Sequence, residues 1–487
     1  MSLRITILLS AVSLAACSAG SDGSASDVTS NSGGFTAPAT MSTSEGSSAT
    51  ESSSTSTTTE TTSTGTTTDN CVPGEEGCAC MEGDLCSPGL ECIDTVCVLL
   101  ADTDSDTDSG TDSDTDTDTD TDTDSGTTTG ADPLCGDGIP VPDELCFGAP
   151  VTLGMGSGPA AVLAQDINGD GFDDVVCANS QSNNLTTRVY DDNDAFGNLS
   201  ALIAGKAPSA LASAEINGDA NIDIIAANRS DGNVSIFTGK GDGKFDSQVV
   251  VTVGGQPRGL AMAMIDGDDH IDLLVANAAS KSVGLLLGDG ISFLEMTSFA
   301  VGASPVDLGV ADFNGDSNLD VIVATNGVAA LSMLLGNGQG GFGAATSIAV
   351  EAAPSAVALG DLNGDGTIDL AIAVPSADSV VVMLGTGLGM FSPGVPFVVG
   401  LGPSDIALHD MTGDGELDIV VANAGDATVA VLRGTGVGGF MVAETTMLAE
   451  GSSPVSLSVG DFNGDEVADI AIANSALSTV SVLLSNP

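Results

Sequence analysis

Beyond residue 150 the chain sets short apolar runs between short polar ones, on a fixed period. A run such as Val357-Ala-Leu359 leads into an acidic loop. A near-continuous run such as Ile419-Val-Val-Ala422 follows the loop and suits a strand buried on both faces. A Ser/Asn/Gly turn then leads to a third run, Val429-Ala-Val-Leu432. A Gly-rich turn precedes a weaker fourth run that ends on Met447-Leu448. The pattern predicts four strands per unit.

Self-similarity supports the count. The acidic loop is nine residues long, with oxygen-bearing side chains at positions one, three, five and nine except at position one of the third. The loops read Asp166, Asn168, Asp170, Asp174; then Glu215, Asn217, Asp219, Asp223; then Met264, Asp266, Asp268, Asp272. The fourth and fifth read Asp312, Asn314, Asp316, Asp320 and Asp361, Asn363, Asp365, Asp369. The last two read Asp410, Thr412, Asp414, Asp418 and Asp461, Asn463, Asp465, Asp469. Their starts are 49, 49, 48, 49, 49 and 51 residues apart. Seven residues before each start stands a proline: Pro159, Pro208, Pro257, Pro305, Pro354, Pro403 and Pro454. Two markers in register seven times are not coincidence.

Four strands in about 49 residues make one propeller blade. The rival, a stacked solenoid, has shorter turns. After the seventh loop only two runs remain, and Val151-Thr-Leu153 is spare before the first proline. That spare run is expected to pair with the last blade and close the ring, which leaves no free edge. The fold class is therefore all-β, a seven-bladed β-propeller over residues 150–487.

Hard oxygen donors in a tight loop suit Ca²⁺, which takes six to eight oxygens. In the fifth loop Asp361, Asn363 and Asp365 alternate and can converge on one ion. Gly364 permits the bend, the Thr367 carbonyl adds a ligand, and Asp369 closes the site from the next strand. The competing reading is a tight polar turn, which Asp and Asn also favour. Against it, clustered carboxylates repel strongly without a cation. Met264 offers no hard oxygen, so the third site is expected to be weak or empty. Glu215 reaches further than Asp, and Thr412 is a poorer ligand. The expectation is about five good sites, one weaker and one empty, with affinities of about 10⁻⁴–10⁻³ M. These loops resemble the FG-GAP/VCBS repeat and the calcium loops of integrin α-subunit propellers over about 330 residues. The resemblance implies a calcium-stabilised recognition or adhesion platform.

The charge balance sharpens the picture. With 67 Asp+Glu against 9 Lys+Arg, the formal net charge is −58. Phosphate binding needs cations, so nucleic acid and electrostatic docking on anionic lipid are excluded. The chain has no Trp, one Tyr (Tyr190) and two His (His270, His409). Sugar-stacking platforms and histidine chemistry have little to work with. Both histidines read as loop residues. No Ser/His/Asp or Cys/His arrangement stands out, and GxG pairs such as Gly434-Thr-Gly436 open no helix that could cradle phosphate. The expectation is a protein that is not an enzyme. A polysaccharide lyase or hydrolase, or a purely structural envelope spacer, are the alternatives.

Propeller topology puts the acidic loops on one face and the other turns on the opposite one. Lys206, Arg229, Arg258 and Lys281 fall on that opposite face, in the second and third blades. They are half of the eight Lys and Arg beyond the leader. They read as a docking patch for an anionic group on an extracellular protein or glycan, or else as scattered solubilising charge.

The N-terminal part is a different kind of chain. Residues 1–16 carry Arg4 and an apolar run from Ile5 to Leu14, too short to span a bilayer, and read as an export signal. Leu14-Ala15-Ala16-Cys17 resembles the bacterial lipobox, which implies lipidation of Cys17. Ser18 after it implies the outer membrane. Ordinary cleavage after Ala19 is the alternative. Residues 17–70 are Ser/Thr-rich and read as a disordered linker. Residues 71–100 hold Cys71, Cys78, Cys80, Cys86, Cys92 and Cys97, which read as three disulfides of open connectivity, with zinc as the alternative. In residues 101–132, eleven Asp alternate with Thr or Ser between Asp102 and Asp124, a self-repelling spacer rather than a calcium sponge. Residues 133–149 hold Cys135 and Cys146 in a CGDG segment that resembles a short myxobacterial Cys-rich repeat. Cys177, in an apolar run, is left as a buried free thiol.

Overall fold

The structure is a computed structural model that describes residues 90–93, 96–99, 145–191 and 195–485. The chain divides into two compact units, one of which is Ser21–Thr127. Within that unit Leu90–Ile93 pairs antiparallel with Val96–Leu99, and Cys92 stands opposite Cys97 in the register. The rest of the six-cysteine segment, Cys17, Cys135 and both linkers lie outside the described residues.

The other unit carries the repeats. Among the described residues it contains seven four-stranded antiparallel sheets. Blade five is typical, with strands Ala356–Gly360, Asp369–Val374, Ser379–Met383 and Val395–Val398. The first strands of successive blades lie against one another around a ring, and Pro454–Gly460 of the seventh meets Pro159–Gln165 of the first. This is a closed seven-bladed propeller.

Burial follows from that geometry. All seven second strands, such as Asp223–Asn228, are buried at every residue. Side chains alternate between the two faces of a strand. Ile225 and Ala227 pack with Leu260 and Met262 of blade three, whereas Ile224 and Ala226 pack with Leu163 and Val176 of blade one. The core is therefore seven clusters, one at each junction between blades. Each fully buried aliphatic side chain contributes about 1.5–3 kcal/mol. In six blades the marker proline is the first residue of the innermost strand, where its missing N–H costs no ladder bond. In blade five that strand begins at Ala356, two residues past Pro354.

The ring closes as the spare run implies. Val151–Gly154 pairs antiparallel with Thr479–Leu483, and Leu153 stands opposite Val480. A further bridge joins Phe147 to Ser485. The closing junction also carries an addition that the repeat pattern does not announce. A short extra ladder in blade one pairs Tyr190 with Phe196. The rings of Phe172, Tyr190, Phe196 and Phe462 then meet in series across the junction, one tilted and two edge-to-face contacts with centroids 5.9, 4.9 and 5.7 Å apart. Such edge-on contacts add to simple burial.

Leu153 is 7% exposed and packs against blades one and seven. Leu153→Ala is expected to lower unfolding stability by about 2–5 kcal/mol. Urea denaturation checks this, and a loss below about 1 kcal/mol would contradict the closure account.

Candidate metal centres and the opposite face

The acidic loops occupy one face, each joining the first strand of a blade to the second. In the fifth loop Asp361 turns inward. Its Oδ1 accepts the amides of Asn363 and Asp365 at 3.4 and 3.2 Å, and its Oδ2 accepts Gly366 N–H at 2.7 Å. Asn363 Oδ1 accepts Asp365 N–H at 2.9 Å, and Asn363 Nδ2 donates to Asp365 Oδ2 at 3.1 Å. Asp365 Oδ1 accepts Thr367 N–H at 2.8 Å. These bonds gather positions one, three and five on the inside of one turn.

Position nine does something different. Asp369 is fully buried at the start of the second strand. Its Oδ2 accepts Leu362 N–H at 2.9 Å, and its Oδ1 accepts Gly385 N–H at 2.6 Å. The same pair recurs in every blade, from the amide seven residues back and the amide sixteen residues on. Asp174, Asp223, Asp272, Asp320, Asp369, Asp418 and Asp469 thus pin the acidic loop to the turn between the third and fourth strands. Burial pushes their carboxyl pKa values upward, to about 7 for Asp174 and Asp469 and about 6 for Asp418. Sequence spacing alone makes this residue a ligand. The structure adds a framework role, since each oxygen already accepts an amide and keeps one lone pair.

The third loop differs in backbone as well as in composition. In all five loops that begin with Asp, the position-one carboxylate accepts the position-six amide. Position six is left-handed in six loops, at Gly171, Ala220, Ser317, Gly366, Gly415 and Glu466, but not at Asp269. Met264 supplies no acceptor for that amide. This loop alone carries Asp at position three, where the others have Asn or Thr, and carboxylate oxygens of Asp266, Asp268 and Asp272 come within 4.8 Å of one another. Exposed His270 sits beside them, with Nδ1 at 3.1 Å from Asp268 Oδ2. In the second loop Glu215 Oε1 accepts the amides of Asn217, Gly218 and Asp219, so the longer acid fills the position-one role. In the sixth loop the Thr412 hydroxyl is buried without a partner.

Neighbouring blades buttress these loops. In three blades the turn after the third strand reaches the preceding blade's loop: Gly243 N–H donates to Ile167 O at 3.2 Å, Gly389 N–H to Phe313 O at 2.8 Å and Gly438 N–H to Leu362 O at 3.0 Å. Gly315 has φ +76°, and a side chain there would meet the Gly387 carbonyl oxygen at 3.2 Å. Only glycine fits both demands. The GxG pairs noted in the sequence are these turns.

Other residues fall as follows. His409 is the last residue of the strand Pro403–His409 rather than a loop residue, and burial lowers its pKa. Cys177 is a fully buried free thiol. Cys146 is disulfide-bonded, and its expected partner Cys135 lies outside the described residues. At position eight of the first loop, where the other loops carry an apolar residue, Asp173 accepts Asp461 N–H at 3.1 Å across the closing junction. Burial raises its pKa to about 6. Lys206, Arg229, Arg258 and Lys281 stand in or beside turns on the face opposite the loops. Lys206 Nζ lies 4.0 Å from Asp231.

The family described as FG-GAP-like repeat matches residues 215–275, 265–323, 312–372, 361–421 and 410–472, more than half of the chain. No curated protein matches. Among solved structures, the chain is similar to BBS1N in its complex with ARL6DN, at 16% identity and a TM-score of 0.51, over 71% of this chain and 98% of that one. It is similar to a streptogramin B lyase at 13% identity and a TM-score of 0.50, over 70% and 98% of the two chains. At these identities the likeness shows the fold.

The framework role of position nine has its own test. Asp369→Asn keeps the shape but sets an NH₂ group against one backbone donor. In chelator, with no divalent ion present, the variant is expected to lose about 1–3 kcal/mol of stability. Chemical denaturation measures it, and a variant as stable as the parent would reduce Asp369 to a ligand alone.

Proposed function

The chain belongs to the FG-GAP-like repeat family, and from that premise we propose a calcium-stabilised recognition module, displayed on the cell surface by a lipid anchor at Cys17. The observation that carries the calcium reading is the gathering of oxygen donors at positions one, three and five of successive loops on one face. The donor set is all hard oxygen, which suits calcium rather than a softer metal. When bound, the ion would neutralise the clustered carboxylates and stiffen each loop. Asp361, Asn363, Asp365, the Thr367 carbonyl and Asp369 would hold it in blade five. Equivalent residues would do so in the other blades, most weakly in the third, where Met264 offers no oxygen.

The reading of the module as a binder without turnover rests on its chemistry. The two histidines lie in different blades, one in an exposed loop and one at a strand end. Tyr190 is buried. The acidic face repels anionic substrates. A lyase or hydrolase on the same scaffold is the second class, since propellers carry many unrelated functions.

A binding screen against glycans and cell-surface proteins, run with and without chelator, tests the reading. Binding that needs calcium and releases no product is expected. Product formation would move the protein to the enzyme class. Neither binding nor turnover would leave a structural spacer.

A further inference from the structure

The first strands enclose a central channel of about 150 Å³. That is about the size of a cavity that accepts one benzene ring, which leaves room for a narrow chain end. Arg258 is the second residue of its strand, Pro257–Ala263, and lines the channel near the face opposite the acidic loops. Its Nε is buried and has no hydrogen-bond partner.

The pairing of the described cations makes that position unusual. Lys206, Lys240, Lys244 and Arg433 each have a carboxylate within 4.0 Å. Arg188 donates to the carbonyls of Gly197 and Gly154 at 2.9 and 3.0 Å. Arg229, Arg258 and Lys281 have no ion-pair partner among the described residues, and all three belong to the same face of blades two and three. In a chain with 67 acidic residues, carboxylates are not scarce. Yet Arg258 is half-buried, and the charge that bears on it is that of Arg229, a repulsion. A half-buried guanidinium that feels the repulsion of a second one favours the arrival of an anion.

The rest of the lining narrows the choice. Ser209, Ser355 and Ser404 spend their hydroxyls on the carbonyls of Pro257, Pro403 and Pro454 at 3.0, 2.9 and 2.8 Å, tying neighbouring blades. Asp307 and Asp405 also line the channel, and each accepts an amide of a following blade, Val357 N–H at 2.9 Å and Leu457 N–H at 3.0 Å. Their charge would hold an anion at the mouth beside blades two and three. A guanidinium fork matches a carboxylate in two parallel hydrogen bonds. The chain has no Trp and its one Tyr is buried, so nothing there stacks on a sugar.

We propose that this channel mouth binds the terminal carboxylate of an extended peptide chain, received by the fork of Arg258 with Arg229 as the second positive charge. The inference deepens the recognition reading above and rests on it.

Calorimetric titration of the full chain in low salt tests it. The probe is acetyl-Ala-Ala-Ala with a free C-terminus, compared with its C-terminal amide and with methyl glucuronide. The free acid is expected to bind, and the amide about tenfold more weakly or not at all. Arg258→Gln should abolish binding, and Arg258→Lys should restore little of it, because charge without the fork is not enough. Exposed Arg229→Gln should weaken binding about tenfold while leaving the melting temperature unchanged, which guards against misfolding of the channel variant. Arg433→Gln should bind as the parent does, since Arg433 pairs with Glu444 elsewhere. Equal binding of acid and amide, undiminished binding by Arg258→Gln, tighter binding of the glucuronide, or no binding of the free acid would each overturn the proposal. If calcium-dependent capture in the screen survives Arg258→Gln while the peptide does not bind, this inference fails and the recognition reading stands.

Discussion

A buried aspartate that accepts two backbone amides from opposite sides is the interaction on which each blade depends. It stands at the first position of every second strand, from Asp174 to Asp469. One amide comes from the acidic loop and the other from the turn after the third strand. The carboxylate therefore ties together two loops that have no β-ladder between them. Without it, the face that gathers the oxygen donors would have no fixed depth. The cost is a desolvated negative charge, visible as pKa values raised to about 7 at Asp174 and Asp469. For a carboxylate whose folded pKa lies above its unfolded one, the stability it contributes is full at low pH and is lost as pH rises through about 7. A divalent ion in the loop would work in the opposite direction, favouring the charged form at neutral pH.

Cohesion of the ring comes from elsewhere. The hydrophobic clusters sit between blades rather than within them, so no blade has a core of its own. A propeller of this kind is cooperative because each sheet is half of two interfaces. The junction of blades seven and one is where the chain must close, and it holds the most specific contacts. Val151–Gly154 completes the last sheet, four aromatic rings bridge the seam, and Asp173 reaches across to the backbone of Asp461.

Much of this was legible from repetition. Seven nine-residue loops in phase with seven prolines predict the blade count, and the spare run Val151-Thr-Leu153 predicts the closure. The second strands were readable because a strand buried on both faces must be apolar along its length. Position nine was half-legible: spacing marks it as a carboxylate aimed at the loop, but only the fold brings up the amide sixteen residues later. The third loop was ranked lowest for want of an acid at Met264. Yet it is the one loop with an acid, Asp266, at position three, and that composition gives it three neighbouring carboxylates. His409 reads as a loop residue because it precedes an acidic loop, yet the strand runs through it. Lys206 is indistinguishable from Arg258 in sequence, because a salt bridge to Asp231 and a place on the channel wall are both long-range facts.

The molecule keeps two unlike faces. One presents rows of carboxylates drawn together by backbone amides. The other presents the few cations that the acidic majority leaves unpaired. Between the two faces, serine and aspartate side chains of the first strands tie one blade to the next. Diffraction from crystals grown in millimolar calcium tests the central claim most directly. The account predicts anomalous density enclosed by positions one, three and five of the loops that begin at Asp166, Asp312, Asp361 and Asp461, with the seven buried aspartates still bonded to their amides. Ordered loops with no such density in any blade would contradict it.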